Sequence, residues 1–324
     1  MKPSFHHRLV NGPFEDPCVY VRVLREKRAF LFDLGYINRL SPSDIQKITD
    51  VFVTHTHIDH FVGFDVLLRA ILRRETPLRV FGPANIIDCV EGKLKGYTWN
   101  LIKEYPLRIE IFSIGERRMK HSGFYAENCF ERTDYDEKPF NGILIKEPSF
   151  EIKAACLTHQ IPCLGFSLKE DLHINIDKAA LSRLGLPVGP WLSEFKKAIR
   201  GNASEETEFR ISNRKFAMKD LAGVAKITEG QKVSYIVDTT MDEENIEKII
   251  ELVKDSDTLY CEAYFLEEDR ERAIERYHLT AKTAGRIARE AGAKNLIVIH
   301  FSPKYRERPD APGKEAMMEY NKRS

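Results

Sequence analysis

The sequence predicts a layered α/β protein. Three observations predict it. Short apolar runs of strand length recur along the chain, stretches with helical spacing separate them, and the metal-competent side chains fall where those runs end. At 324 residues the chain suits one large domain or two small ones, with a sizeable core either way. We read a single domain over 1–324, with an arm protruding at about 185–219.

Residues 18–24 and 29–32 are apolar runs separated by the basic turn Arg25-Glu26-Lys27-Arg28, which predicts a β-hairpin ending at Asp33-Leu34-Gly35. Residues 43–48 predict a short helix feeding a strand at 50–54. Phe61, Phe64, Leu67, Leu68, Ile71 and Leu72 have helical spacing, and Arg73 and Arg74 suit the negative end of a helix dipole. A strand at 78–83 and a helix at 84–95 follow. Residues 96–160 read mostly as strand, with the polar patch 131–139 expected as a surface loop. Residues 190–219 are polar and rich in both charges, and they predict an excursion from the core. The α/β rhythm then resumes with strands at 233–237, 258–262 and 295–299. Thr240 and Glu243 make a capping box for a helix to about 254, and Thr280 caps a helix stopped by Gly292.

Hydrophobic content of 43% and charged content of 31% are ordinary for a soluble globular protein. No apolar run is long enough to span a membrane, and residues 1–20 hold no stretch of signal-peptide type. A net charge of +1 provides no global attraction for nucleic acid. Six scattered cysteines without a Cys-x-x-Cys pair read as reduced thiols of a cytoplasmic protein.

The chemistry concentrates in His55-Thr56-His57-Ile58-Asp59-His60, directly after the strand at 50–54. On an extended backbone, side chains at i and i+2 point the same way, so His55 and His57 can grip one cation. Asp59 and His60 follow at a turn and can aim at a second. His159, Asp238 and His300 each follow a predicted strand, the end at which layered α/β proteins place their sites. The expected arrangement puts His55, His57 and His159 on one metal, Asp59, His60 and His300 on another, and Asp238 between them. Imidazole and carboxylate without thiolate suit Zn2+, with Mn2+ or Fe as alternatives. Two-metal sites hydrolyse phosphate and acyl bonds.

The run His-x-His-x-Asp-His, followed by a distant His, an Asp and a final His, resembles the metallo-β-lactamase superfamily over 33–305. The resemblance implies a four-layer αββα sandwich and a supporting role for Asp33 beneath the ligand loop. Four segments are similar to the ribonuclease Z branch, which matures tRNA 3′ ends. His300-Phe301-Ser302-Pro303-Lys304-Tyr305 has Lys304 where Arg is usual. Glu262-Ala263-Tyr264-Phe265 and His278-Leu279-Thr280-Ala281 resemble two further motifs, and 184–191 resembles the opening of a tRNA-gripping arm.

This resemblance implies attack on a tRNA precursor by a hydroxide shared between two metals. Asp59 would orient or deprotonate the water and His278 would assist proton transfer. Lys304 and Tyr305 would contact phosphate or only shape the rim, and the cations at 190–219 would clamp RNA phosphates or form a solvated face. Glu262 by itself reads as structural rather than catalytic. The resemblance also implies a homodimer. Residues 11–17 stand where a Pro-x-Lys-x-Arg-Asn loop is usual, and 35–40 where an acidic Gly-rich turn is usual. Those departures leave a small phosphodiester or acyl ester as the alternative substrate.

Overall fold

In the computed structural model, which describes residues 4–24 and 26–322, period-two alternation sorts the strand side chains into layers. On strand Arg28–Phe32, Phe30 and Phe32 face a second sheet, whereas Ala29 and Leu31 face helices. Phe52 and Phe81 point inward from their strands, and Val51 and Val80 point outward.

The first sheet has eight strands in chain order: Phe5–Leu9, Val19–Val23, Arg28–Phe32, Ile48–Phe52, Leu78–Pro83, Arg108–Ile114, Arg118–Tyr125 and Arg132–Pro139. Its centre, from Arg28–Phe32 to Arg108–Ile114, is parallel, so helices Phe64–Ile71 and Ile86–Lys95 make crossovers on the outer face. The second sheet has six strands in the order Leu296–Ile299, Thr258–Glu262, Lys232–Ile236, Ile161–Glu170, Phe150–His159 and Ile143–Glu147. Helices Glu243–Val253, Ala281–Glu290 and Ala311–Tyr320 cover it. Three apolar clusters fill the three interfaces of the four layers. Between the sheets, Phe32 stacks on Tyr235 at 5.8 Å and Phe52 on Phe81 at 5.1 Å. Each such buried aromatic contributes about 2–3 kcal/mol. The expected αββα class is the observed one.

Four local expectations need correction. Strand Phe5–Leu9 is invisible in the apolar pattern, because His6, His7 and Arg8 interrupt it. The patch at 131–139 is not a loop but the edge strand Arg132–Pro139; it is polar on both faces because no layer covers it, and its charges discourage further pairing. The cap of the helix at 243 is Asp242, whose carboxylate accepts the Asn245 N–H at 3.0 Å, rather than Thr240. Thr280 does cap its helix, accepting from Thr283 at 3.1 Å. Of the basic turn, Arg25 lies outside the described residues.

The excursion is the fourth correction, since it is longer than its polarity predicts. It leaves the second sheet after Ile161–Glu170 and returns before Lys232–Ile236. Strands Leu172–Ile176 and Ala225–Glu229 pair as an antiparallel stalk. Beyond the stalk lie helices Lys178–Arg183 and Trp191–Arg200 and the hairpin Glu208–Ile211 with Arg214–Ala217. Trp191, Phe195 and Ile199, four residues apart on one helix face, pack with Leu181, Phe209 and Leu221 into a core of its own.

Candidate metal centre and active-site cavity

The candidate ligands lie at the carboxyl ends of strands from both sheets. His159 ends Phe150–His159, and Asp238 and His300 follow Lys232–Ile236 and Leu296–Ile299. Asp33, Asp238 and His300 leave their strands with φ of 56°, 53° and 56°. That left-handed backbone costs a non-glycine residue about 1–3 kcal/mol and persists only where surrounding contacts hold it. His57 sits at the start of the short helix Ile58–Phe61, which turns Asp59 and His60 toward the other ligands.

The structure brings all seven predicted ligands together. Asp238 Oδ2 lies 3.3 Å from His55 Nε2, 3.1 Å from His60 Nε2 and 3.8 Å from His159 Nε2. His57 Nδ1 is 2.9 Å from His55 Nε2. Asp59 Oδ2 is 3.3 Å from His60 Nε2 and 3.4 Å from His300 Nε2. Three donor sets result among the described residues, each spanning no more than 4.8 Å: His55, His57, His159 and Asp238; Asp59, His60 and His300; and Asp238, Glu262, His278 and His300. The first two match the expected arrangement. His55, His60, His159, Asp238 and His300 are buried, while His57 and Asp59 open toward solvent.

The far nitrogens of His60 and His159 are anchored, which leaves their Nε2 atoms free to ligate. His60 Nδ1 meets Asp33 Oδ2 at 2.8 Å, and His159 Nδ1 donates to the Tyr277 carbonyl at 2.7 Å. Asp33 also accepts from the Thr54 N–H at 2.7 Å and from the Tyr235 hydroxyl at 2.9 Å, which ties the segment before the candidate ligands to the second sheet. His60 Nε2, Asp238 Oδ1 and His300 Nδ1 are buried without a hydrogen-bond partner, the latter two 2.6 Å apart but not aligned to bond. Buried polar atoms are rarely left so. Nitrogen and carboxylate donors that converge without satisfying each other fit divalent cations. Burial, then repulsion from neighbouring imidazoles, holds His55 and His57 below the ordinary histidine pKa, and burial does the same at His159. Neutral imidazole is the form that ligates.

Above the donor sets opens a cavity of about 1140 Å³, lined by His57, Asp59, His278, Tyr264, Arg272, Arg276 and Lys304 among others. His278 Nδ1 lies 2.8 Å from Glu262 Oε2 and 3.4 Å from Asp238 Oδ1. Burial opposes its charge, but those two carboxylates outweigh burial and push the imidazole pKa up to about 10. Glu262 is fully buried, and its other oxygen accepts from the Thr239 and Leu279 N–H groups at 3.0 and 3.2 Å. A residue expected as merely structural therefore orients His278. Its place at a strand end, like that of Asp238, was the signal.

Sequence reasoning also missed Arg272 and Arg276, four apart on helix Arg270–Arg276 and so on one face toward the cavity. Tyr305 is a correction. Its ring is fully buried against the outer helices, and its hydroxyl accepts from the Leu266 N–H at 3.1 Å and donates to Asp269. It shapes the rim and does not reach the cavity. Lys304 does line it, with its amine on both Asp269 oxygens at 2.5 and 2.7 Å. In the excursion, Lys215 and Lys219 pair with Glu208 and Glu206 at 2.6 and 2.7 Å. The unusual segment 11–17 packs on the last ligand motif: the Phe301 N–H donates to the Pro13 carbonyl at 2.7 Å, and Phe14 meets the Phe301 ring edge-on at 5.2 Å.

Two sheets between helix layers, with a His and Asp cluster across their strand ends, define a metallo-β-lactamase-fold protein. A metallo-β-lactamase fold protein from Bacillus subtilis matches over 99% of this chain and 94% of its own, with a TM-score of 0.57 and 15% identity. The short form of human tRNase Z matches over 92% and 93%, with a TM-score of 0.53 and 18% identity. At such identities the likeness speaks for the fold. No protein-family profile matches the chain. Ribonuclease Z of Deinococcus radiodurans is 30% identical over 281 residues, 86% of this chain and 83% of that protein. Ribonuclease Z of Nanoarchaeum equitans is 29% identical over 291 residues, 86% and 76% respectively. The chain belongs to the ribonuclease Z family of hydrolytic nucleases.

Proposed function

We propose that the protein is an endonuclease that cleaves tRNA precursors at the 3′ end, using two divalent cations, zinc first among them. One observation carries the metal reading: the two expected donor sets come together around Asp238, which lies against His60 and His300, beneath a cavity that His278 also lines. His55, His57 and His159 would hold one cation and Asp59, His60 and His300 the other, with Asp238 shared. Such cations acidify water and neutralise charge on phosphate oxygens. Asp59, open to the cavity, orients the attacking water and takes its proton. Water oxygen bonds to phosphorus as the bond to the ribose 3′-oxygen breaks. His278, held through Nδ1, donates a proton to that oxygen from Nε2. Arg272, Arg276 and Lys304 meet the flanking phosphates at the rim.

The protein would act in the cytoplasm, where its six free thiols stay reduced. No helix among the described residues is long and apolar enough to cross a membrane. A homodimer is part of the reading; the exposed Leu184 and Val188 of the excursion offer apolar surface to a second copy.

The test is cleavage of an end-labelled precursor tRNA carrying a 3′ trailer, with zinc or manganese present. The expected cut lies beside the discriminator nucleotide, leaves a 3′-hydroxyl on the tRNA and a 5′-phosphate on the trailer, and is absent in Asp59→Ala. Metal-loaded protein that hydrolyses a small diester but leaves the precursor intact would overturn the tRNA assignment.

A further inference from the structure

The ring of Tyr264 lies flat on the imidazole of His278, with centroids 3.9 Å apart and planes only 6° from parallel. Among the ring contacts of the cavity floor this one is set apart by its geometry. His159 and Phe265 approach His278 at 58° and 63°, from 5.0 and 6.1 Å. Tyr264 is itself held at its backbone, where its carbonyl accepts the Ser302 N–H at 3.0 Å. It follows Glu262 by two residues, and Glu262 grips His278 Nδ1. One short segment therefore touches His278 twice, once at an edge atom and once across a face.

The two contacts remove different freedoms. The bond to Glu262 fixes Nδ1 as a point, but the ring can still swing about the axis of that bond and carry Nε2 away from a leaving oxygen. A flat neighbour across the imidazole face stops that swing. A proton donor must lie within hydrogen-bond reach of its acceptor, and small displacements are costly in rate. We propose that Tyr264 is a positioning residue for His278, aligning its free nitrogen with the ribose 3′-oxygen that departs. This rests on the reading of His278 as proton donor.

The leaving group supplies the test. A ribose alkoxide needs a proton as it departs, whereas nitrophenolate, a weak base, departs without one. Wild type, Tyr264→Leu, Tyr264→Phe, His278→Ala and the double variant Tyr264→Leu/His278→Ala are compared on precursor tRNA and on bis(p-nitrophenyl) phosphate, with bound metal measured for each. Tyr264→Leu should lower kcat on the precursor roughly tenfold to a hundredfold, with KM and metal content little changed. On the nitrophenyl diester it should match wild type within about twofold. Tyr264→Phe, which keeps the flat face and removes only the hydroxyl, should restore cleavage of the precursor. In the His278→Ala background, Tyr264→Leu should add no further loss.

Loss on both diesters alike, or a Phe variant as slow as the Leu variant, overturns the proposal. So does a Leu variant that cleaves the precursor normally while His278→Ala does not. Should His278→Ala itself cleave the precursor normally, the role given to His278 fails first.

Discussion

The candidate metal centre and the excursion are built on opposite plans. The candidate ligands come from strand ends in both sheets, and the far nitrogens of His60 and His159 are anchored by Asp33 and the Tyr277 carbonyl. Three backbone positions there sit in a costly left-handed conformation, held by the sandwich around them. The excursion has a separate small core and joins the body through one pair of strands. The difference teaches that geometry at the centre is borrowed from the whole sandwich, whereas the excursion supplies reach and surface. Each should therefore break without the other.

The largest effect is expected at the centre. Asp59→Ala should lower turnover about 10²–10⁴-fold on any phosphodiester, while circular dichroism and the protease resistance of the excursion stay as in wild type. Phe195→Ala attacks the other plan. Removing that buried ring should cost about 3 kcal/mol within the excursion. Hydrogen exchange should rise over 172–229, and metal content and hydrolysis of a small diester should hold. Exchange that rises equally in both sheets would show the two regions to be one cooperative unit.

Asp33→Ala is expected to weaken metal binding about 10–100-fold in a metal titration, because His60 loses the acceptor that orients it. Unchanged affinity would mean that Thr54 and the short helix suffice to aim His60. The smallest effect belongs to charge. Arg210→Ala with Arg214→Ala should flatten the dependence of precursor-RNA affinity on log salt by at most about 0.7–0.9 for each phosphate that an arginine had neutralised, and leave small-diester turnover alone. An unaltered slope would make the excursion a solvated face with no hold on RNA.

Loop 11–17 sits between these extremes. Its acidic Glu15 is paired by both oxygens with Arg39 at 2.6 and 2.7 Å, and its Pro13 and Phe14 buttress Phe301 beside His300. Where the family resemblance implies a basic loop, this chain has a brace beside His300.

Sequence alone determined most of the central strands and pointed to the seven candidate ligands, because each of those readings rests on a local rule; the αββα layering came from the family resemblance. Alternation assigns Phe30 and Phe32 to one face, and i, i+2 spacing aims His55 and His57 together. Tertiary structure decided what no local rule encodes. Asp33 is tied to Tyr235, 202 residues away, and Glu262 grips His278, 16 residues away beyond the helix Arg270–Arg276. Tyr305 turns inward although its motif suggested substrate, and the excursion buries Trp191 and Phe195 although its composition is polar. In each case the outcome depends on which surfaces meet after folding. Burial and hydrogen bonding reward those encounters only once residues distant in the chain have been brought together.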